Sequence, residues 1–462
     1  MKTFQDLQKV IEQNSEKAVI DFVRGVINNH KESPGYDIAR TAYDYDRQRN
    51  TTIVNYQKLL YTVSGATVPD NFSANYKLCS NYFNRFITQE NQFLLGNGIT
   101  WTKEDTEKKL GGKFDTAIQK AGRDALIGGV SFGFWNLDHL DVFSVLEFAP
   151  LYDEEDGAMK AGVRFWQISP EKPLRATLYE MDGYTDYIWN KREENGKTTS
   201  VGAILHDKRA YKLKTRKTEA DGEQIYAGEN YPSFPIVPLY GNPHRQSELV
   251  GKREQIDAYD LIKSGFANDI DDASQIYWTL QNAGGMDDID LVKFVEHMKT
   301  VKAAVVSDDA TAESHTMEVP YASREAILNR IRTDLYDDFM AFNTKEIVGG
   351  ATTATQIVAA YEPLQKKADL FEYQVREFLD GILYVAGIDD APSFTRDVIT
   401  NTTEEIQAIL QSATYLSADY VTEKILTLLG DKDKIPEVLG EIQADDIDRM
   451  PVSNEEGEGG RE

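Results

Sequence analysis

The sequence predicts an α+β fold, and three observations carry that prediction. First, an apolar strand (Phe234, Ile236, Val237, Leu239) breaks at Gly241-Asn242-Pro243, and a long helical pattern begins near Ser247. Its apolar positions are Ile256, Tyr259, Ile262, Phe266, Ile270, Ala273, Tyr277 and Leu280, recurring every three or four residues, close to a heptad. A helix from Ser247 to Gln281 would run roughly 50 Å at 1.5 Å per residue, against a globular average of about 11–12 residues. A rod of that length usually spans or lines something. Second, a block of roughly a hundred residues after Val130 reads at period two, with turns at Asp156-Gly157, Asp182-Gly183, Asn195-Gly196 and Asp221-Gly222. Third, helical patterns stand on both sides of that block.

In chain order, residues 1–33 read as helical up to Ser33-Pro34-Gly35, and residues 36–74 as irregular. A helix follows over 75–95, with Leu78, Tyr82, Phe83 and Phe86 on one side and Gly96-Asn97-Gly98 as its stop. Another covers Phe114 to Ile127. The period then changes, and 130–148, 162–168, 175–181, 184–190, 210–217 and 224–227 read as strands. After the long helix, Gly284-Gly285 breaks the chain. A short helix (Ile289–Lys299) leads to a hairpin, VKAAVVS and SHTMEV, turning at Asp308-Asp309 and ending at Pro320. A second amphipathic helix runs from Ser323 to Phe342, with Ile327, Ile331, Leu335 and Phe339 at i, i+4 steps. The polar loop Asn343–Thr355 (NTKEIVGGATTAT) follows, then a third long helix from Gln356 to Ala386, where Pro363 predicts a kink. Short helices start after Thr403 and Ser417 and end at Gly430. The tail from Glu441 onward is acidic and glycine-bearing, a composition that favours disorder.

Composition narrows the functional classes. The chain has 462 residues, 41% hydrophobic, enough for several domains. No apolar run approaches the roughly 18–20 residues of a membrane span, and the N-terminal MKTFQDLQKVIEQ reads as an amphipathic helix without a signal-peptide core. Cys79 is the sole cysteine, so an intrachain disulfide and a zinc finger are excluded, which fits a reducing compartment. The net charge of −26 argues against a dominant basic groove for phosphates. It fits a soluble, non-sticky protein, and equally one that sits near DNA without gripping it.

Motifs that resemble chemistry fail on context. Gly129-Val130-Ser131-Phe132-Gly133 matches G-x-S-x-G, but a nucleophile elbow needs a strand before the serine and a helix after it, and here the order is reversed. Gly196-Lys197-Thr198 lacks the first P-loop glycine, since position 191 is Lys191. Gly111-Gly112-Lys113 and Gly251-Lys252 fail likewise, with Glu107 and Gln246 at the required positions. Asp269, Asp271 and Asp272 cannot converge on one metal, because neighbours at i, i+2 on a helix point about 200° apart. The six histidines are scattered without HExxH. No spacing brings a general acid and base together, and no cofactor or metal is expected.

Four segments, taken in order, resemble the portal (head–tail connector) proteins of tailed bacteriophages, of the long-tailed phage type. They are Asn75–Trp101 with its GNGITW end; Ala125–Trp166, with Pro150, Asp153 and Gly157 in a "helix, Gly, strand … Pro-x-x-Asp … Gly" pattern; PIVPLYGNPHRQSELVGKREQIDAYD; and Phe394–Leu429. The resemblance implies a portal fold. Its parts would be a mixed α/β wing (1–246), stem helices (247–281 and 321–342), a small α/β clip (282–320), a tunnel loop (343–355), a long helix (356–390), an α-helical crown (391–450) and an acidic tail (451–462). It also implies a homo-oligomeric ring, usually a dodecamer, at one capsid vertex of the virion, made in the bacterial host cytoplasm. Double-stranded DNA would pass through it without sequence specificity. The implied partners are terminase, head–tail adaptor proteins, and the major capsid and scaffold proteins, with no membrane. Asn343, Thr344, Lys345, Glu346, Gly349, Gly350, Thr352 and Thr353 would face the DNA. Ile256, Tyr259, Ile262, Phe266, Ile270, Ile327, Ile331 and Leu335 would pack the stem against neighbouring copies. The rival readings are another phage structural adaptor or capsid-associated protein, which would lack two stem helices with a clip between them, and a hydrolase using Ser131.

Overall fold

The computed structural model describes residues 2–61, 65–71, 73–194, 197–218, 224–273, 277–281, 311–315, 320–346, 354–396, 402–431 and 434–448. The chain divides into two compact units, Met1–Ala341 with Lys366–Arg396, and Phe342–Gln365 with Asp397–Glu462. Helix and sheet are mixed, as the patterning predicts.

The first unit opens on three helices, Phe4–Glu12, Glu16–Lys31 and Pro34–Asp46. The third overturns the expectation of irregular chain from residue 36. Ser33 is an N-cap whose hydroxyl accepts the Tyr36 amide at 3.3 Å, and Pro34 takes the first helical position, where its missing N–H does no harm. The Ser-Pro-Gly sequence starts a helix as well as ending one. Ala39, Ala42 and Tyr45 then go into the core.

A five-stranded antiparallel meander carries the β region, in the order 197–209, 183–194, 174–180, 159–166, 148–152. Glu180 pairs with Gly183, so that hairpin turns within two residues, and Glu194 pairs with Lys197. The Lys197–Arg209 strand falls between the 184–190 and 210–217 strands read from the sequence and is not among them. It lies at the sheet edge with Val201 and Leu205 exposed, so no one-sided apolar alternation marks it. Phe22, Val23, Val26 and Ile27 of the second helix pack with Leu151, Val163, Phe165 and Trp189 of this sheet.

A larger core forms around a three-stranded sheet, Ile236–Tyr240, Val130–Asn136 and His139–Ser144. Helices Tyr82–Leu95 and Phe114–Gly128 contribute Phe83, Phe86, Ile118 and Leu126. The Lys366–Ala386 part of the long helix Ala354–Ala386 contributes Phe371, Val375 and Phe378. That helix runs through Pro363, which leaves the Ala359 carbonyl without its usual helical donor.

The second unit contains the helices Thr402–Ser412, Ala418–Leu429 and Ile435–Asp448. Ser417 caps the middle one through the Tyr420 amide, and Gly430 ends it, both as the sequence predicts. Within this unit Phe342 stacks on Tyr361, with ring centroids 3.9 Å apart. No helix among the described residues is long and apolar enough to cross a membrane. The tail at 451–462 lies outside the described residues.

Candidate functional site

The first of the two helices read as stem is shorter than predicted. It spans Arg253–Ala273, after a turn in which the Ser247 hydroxyl accepts the Leu249 amide at 3.2 Å. Asn242 braces that turn: its Nδ2 donates to the Gln246 carbonyl (2.8 Å) and to Glu248 Oε1 (2.9 Å). Tyr277–Gln281, expected as the end of the rod, is a strand paired antiparallel with Thr311–His315. Aromatic and β-branched residues favour that outcome, and a spacing of three between Tyr277 and Leu280 cannot exclude it. The partner strand also differs from the expected hairpin of 301–319. The rest of that hairpin, the Ile289–Lys299 helix and most of the 282–320 segment lie outside the described residues.

The second such helix, Tyr321–Asp338, runs antiparallel to the first. Phe266 meets Tyr321 with centroids 5.8 Å apart, Arg324 pairs with Asp269, and Gln255 donates to Asp338. The predicted packing stripe divides in two. Ile256 and Leu335 are fully buried in the subunit's own core, so they have no surface to offer a second copy. Tyr259 sets its ring edge-on to Tyr82 at 5.0 Å, and Ile262, Phe266 and Ile331 are half-buried. Ile270 and Ile327 remain 54% and 48% exposed.

The most buried stripe of the Arg253–Ala273 helix is polar, which apolar spacing could not reveal. Asp260, Ser264 and Asn268, at i, i+4 and i+8, are each at most 6% exposed. They accept the backbone amides of alternate residues of an extended segment: Ser80 to Asp260 Oδ1 at 2.8 Å, Leu78 to Ser264 Oγ at 3.0 Å and Tyr76 to Asn268 Oδ1 at 2.7 Å. The geometry matches, since two extended residues advance about 6.6 Å and four helical residues about 6 Å. Asn50 donates to the second oxygen of Asp260. Burial raises the Asp260 carboxyl above its ordinary value, although Asn50 and Ser80 oppose the shift.

A buried ionic cluster ties the segment leading into this helix to the rest of the unit. Lys367 Nζ lies 2.6 Å from Glu90 Oε2 and 2.9 Å from Glu248 Oε2, and Lys252 Nζ is also 2.9 Å from Glu248. The two acids diverge. Burial pushes Glu90 up to about 7 despite Lys367. Burial acts the same way on Glu248, but Lys367 and Lys252 outweigh it and hold that carboxyl down at about 2. Burial lowers the Lys367 ammonium, and the two carboxylates more than reverse that.

Of the predicted loop, Thr344–Glu346 forms a single 3₁₀ turn, in which the Lys345 amide donates to Asn343 Oδ1 at 3.3 Å. Thr344 and Lys345 are exposed. Gly349, Gly350, Thr352, Thr353 and the Glu346 side chain lie outside the described residues.

The G-x-S-x-G segment is packing. Ser131 is fully buried and its hydroxyl donates to the Ala121 carbonyl at 2.7 Å. Gly129 makes the left-handed turn (φ 87°) that ends the Phe114–Gly128 helix, and a Cβ on Gly133 would sit 2.4 Å from the Phe378 ring. No group of three His, Cys, Asp or Glu suited to a metal exists among the described residues.

Over residues 36–449 the sequence matches the family described as phage portal protein, SPP1 Gp6-like. The chain belongs to that portal family. The portal protein of Bacillus phage SPP1 is 22% identical over 451 aligned residues, covering 88% of this chain and 83% of that one. The portal protein of Clostridium phage phiCD119 is 28% identical over 200 residues. That match covers 41% of this chain and 44% of the relative, so it spans less than half the relative's length. Among solved structures, a chain from the neck of an empty gene transfer agent particle aligns at TM-score 0.43 and 9% identity, over 76% of this chain and 90% of its own. One from the virion of a native gene transfer agent particle aligns at 0.40 and 12%, over 75% and 89%. At those scores the two structures add nothing to the assignment. The portal family is structural and non-enzymatic.

Proposed function

We propose that this portal-family chain is one subunit of a ring at a single capsid vertex, through whose bore double-stranded DNA is packaged and ejected without sequence-specific contacts. The family match over residues 36–449 carries the reading. The net charge of −26 supports it, because a repelling wall lets a polyanion slide. The ring holds twelve copies. The 282–320 segment docks terminase and later the head–tail adaptor proteins, and the major capsid and scaffold proteins surround the outer face. The 1–246 segment is the wing, and 391–450 is the crown. Residues 343–355 form the tunnel loop, with Lys345 meeting phosphates transiently and Gly349-Gly350 allowing movement. The chain itself catalyses nothing.

Electron microscopy and mass photometry of the full-length protein test the ring, and monomers at every concentration and salt level would count against it. Lys345→Glu and Gly349→Pro test the loop. Both variants should form rings of wild-type mass and package less DNA. Loss of assembly would make the loop a packing element instead.

A further inference from the structure

The chain carries 76 acidic and 50 basic residues, yet a surface cleft among three helices of the first unit reverses that balance. A cavity of about 640 Å³ opens beside Cys79–Tyr82, among helices Tyr82–Leu95, Arg253–Ala273 and Tyr321–Asp338. Arg85, Lys263 and Arg332, one from each helix, line it, and no aspartate or glutamate does. None of the three forms an ion pair among the described residues. Each lies over an aromatic ring instead. Arg85 and Arg332 are 5.5 and 5.8 Å from the centroid of Tyr336, and Lys263 is 5.9 Å from that of Tyr259. Two guanidinium groups thus share one ring. Asp260, the acid that feels Lys263, already has its two oxygens on the Ser80 amide and on Asn50. Cation–π contacts of this kind contribute modestly, and three gathered cations repel until an anion joins them.

We propose that this cleft receives carboxylates from a second copy of this chain. The inference rests on the ring reading above and says where copies meet. Bodies that each carry −26 repel, so the contact between them has to pair opposite charges locally. A ring contact is heterologous: the cleft of one copy faces a different patch of the next. That patch comes from a surface rich in acids. The cleft has the composition of a contact core, with arginine and tyrosine and no carboxylate. Ile270, seven residues beyond Lys263 and on the same helical face, adds exposed apolar surface.

The direct experiment mixes ¹⁴N- and ¹⁵N-labelled full-length protein under assembling conditions and applies a carbodiimide. The reagent joins an amine to a nearby carboxylate as an amide and takes up the water lost. The expected product links Lys263 of one isotope to an aspartate or glutamate peptide of the other. Two further readouts apply to the same protein. Lys263→Glu combined with Arg332→Glu should weaken assembly at least tenfold in mass photometry with the circular dichroism spectrum unchanged. Thiol labelling of Cys79, which lines the cleft and is the sole cysteine, should slow in rings relative to monomers. Wild-type rings whose Lys263 cross-links only within its own copy would overturn the cleft and leave the ring reading standing. Rings that bind inorganic pyrophosphate at the cleft without disassembling would do the same. A wild-type chain that never assembles overturns both.

Discussion

Glu90 makes the stability of the first unit depend on pH in an unusual direction. Its carboxyl titrates near 7 in the fold and near 4.5 when unfolded. Between those values the folded state keeps a proton that the unfolded state has released. Stability therefore falls as pH rises through that window and is flat above it, opposite to the behaviour of a carboxylate stabilised by a salt bridge. At about 1.36 kcal/mol per pH unit, the loss between pH 5 and 8 is about 2–3 kcal/mol. The amide of Glu90→Gln does not titrate and can still accept from Lys367. Urea denaturation of both proteins at pH 5, 6, 7 and 8, followed by tryptophan fluorescence, reads the difference. Wild type should lose about 2–3 kcal/mol relative to the variant across that range. Subtracting the variant removes the general effect of a −26 charge on the pH profile. Parallel profiles would refute the argument, because they would mean Glu90 is already ionised at pH 5 through Lys367.

The polar ladder predicts that Ser264→Ala, which leaves the half-buried Leu78 amide without its acceptor, destabilises by about 1 kcal/mol, and that Asp260→Ala does more. Hydrogen exchange at Tyr76, Leu78 and Ser80 should quicken in both, and unchanged protection would show that these amides have other acceptors. Gly133→Ala should lower stability by about 1–3 kcal/mol, because Phe378 has to move. A variant melting within a degree of wild type would show that the ring yields freely.

Some elements were legible because one local interaction decides them. Ser417 and Gly430 bracket a helix through their own hydrogen bonds and backbone conformation, and a short hairpin turns at Met181-Asp182, one residue before the Asp182-Gly183 pair that the sequence offers. Others misled for a physical reason. Ser33-Pro34 serves equally as a stop or as a cap with a first-turn proline. Tyr277 and Leu280 fit a heptad and a strand alike, and pairing with Thr311–His315 decides between them.

Local pattern alone carries the mixed helix-and-strand character, helices over 253–273 and 321–338, and an order of segments that resembles the portal family. Apolar periodicity and turn chemistry act over a few residues, so they can be read without coordinates. What the Arg253–Ala273 helix buries is set by partners brought from distant parts of the chain. The Asp260–Ser80 bond joins residues 180 apart, and the cluster of Glu90, Glu248 and Lys367 draws on three distant segments. Burial of polar groups depends on partners supplied from elsewhere in the chain, and no local pattern of hydrophobic residues encodes it.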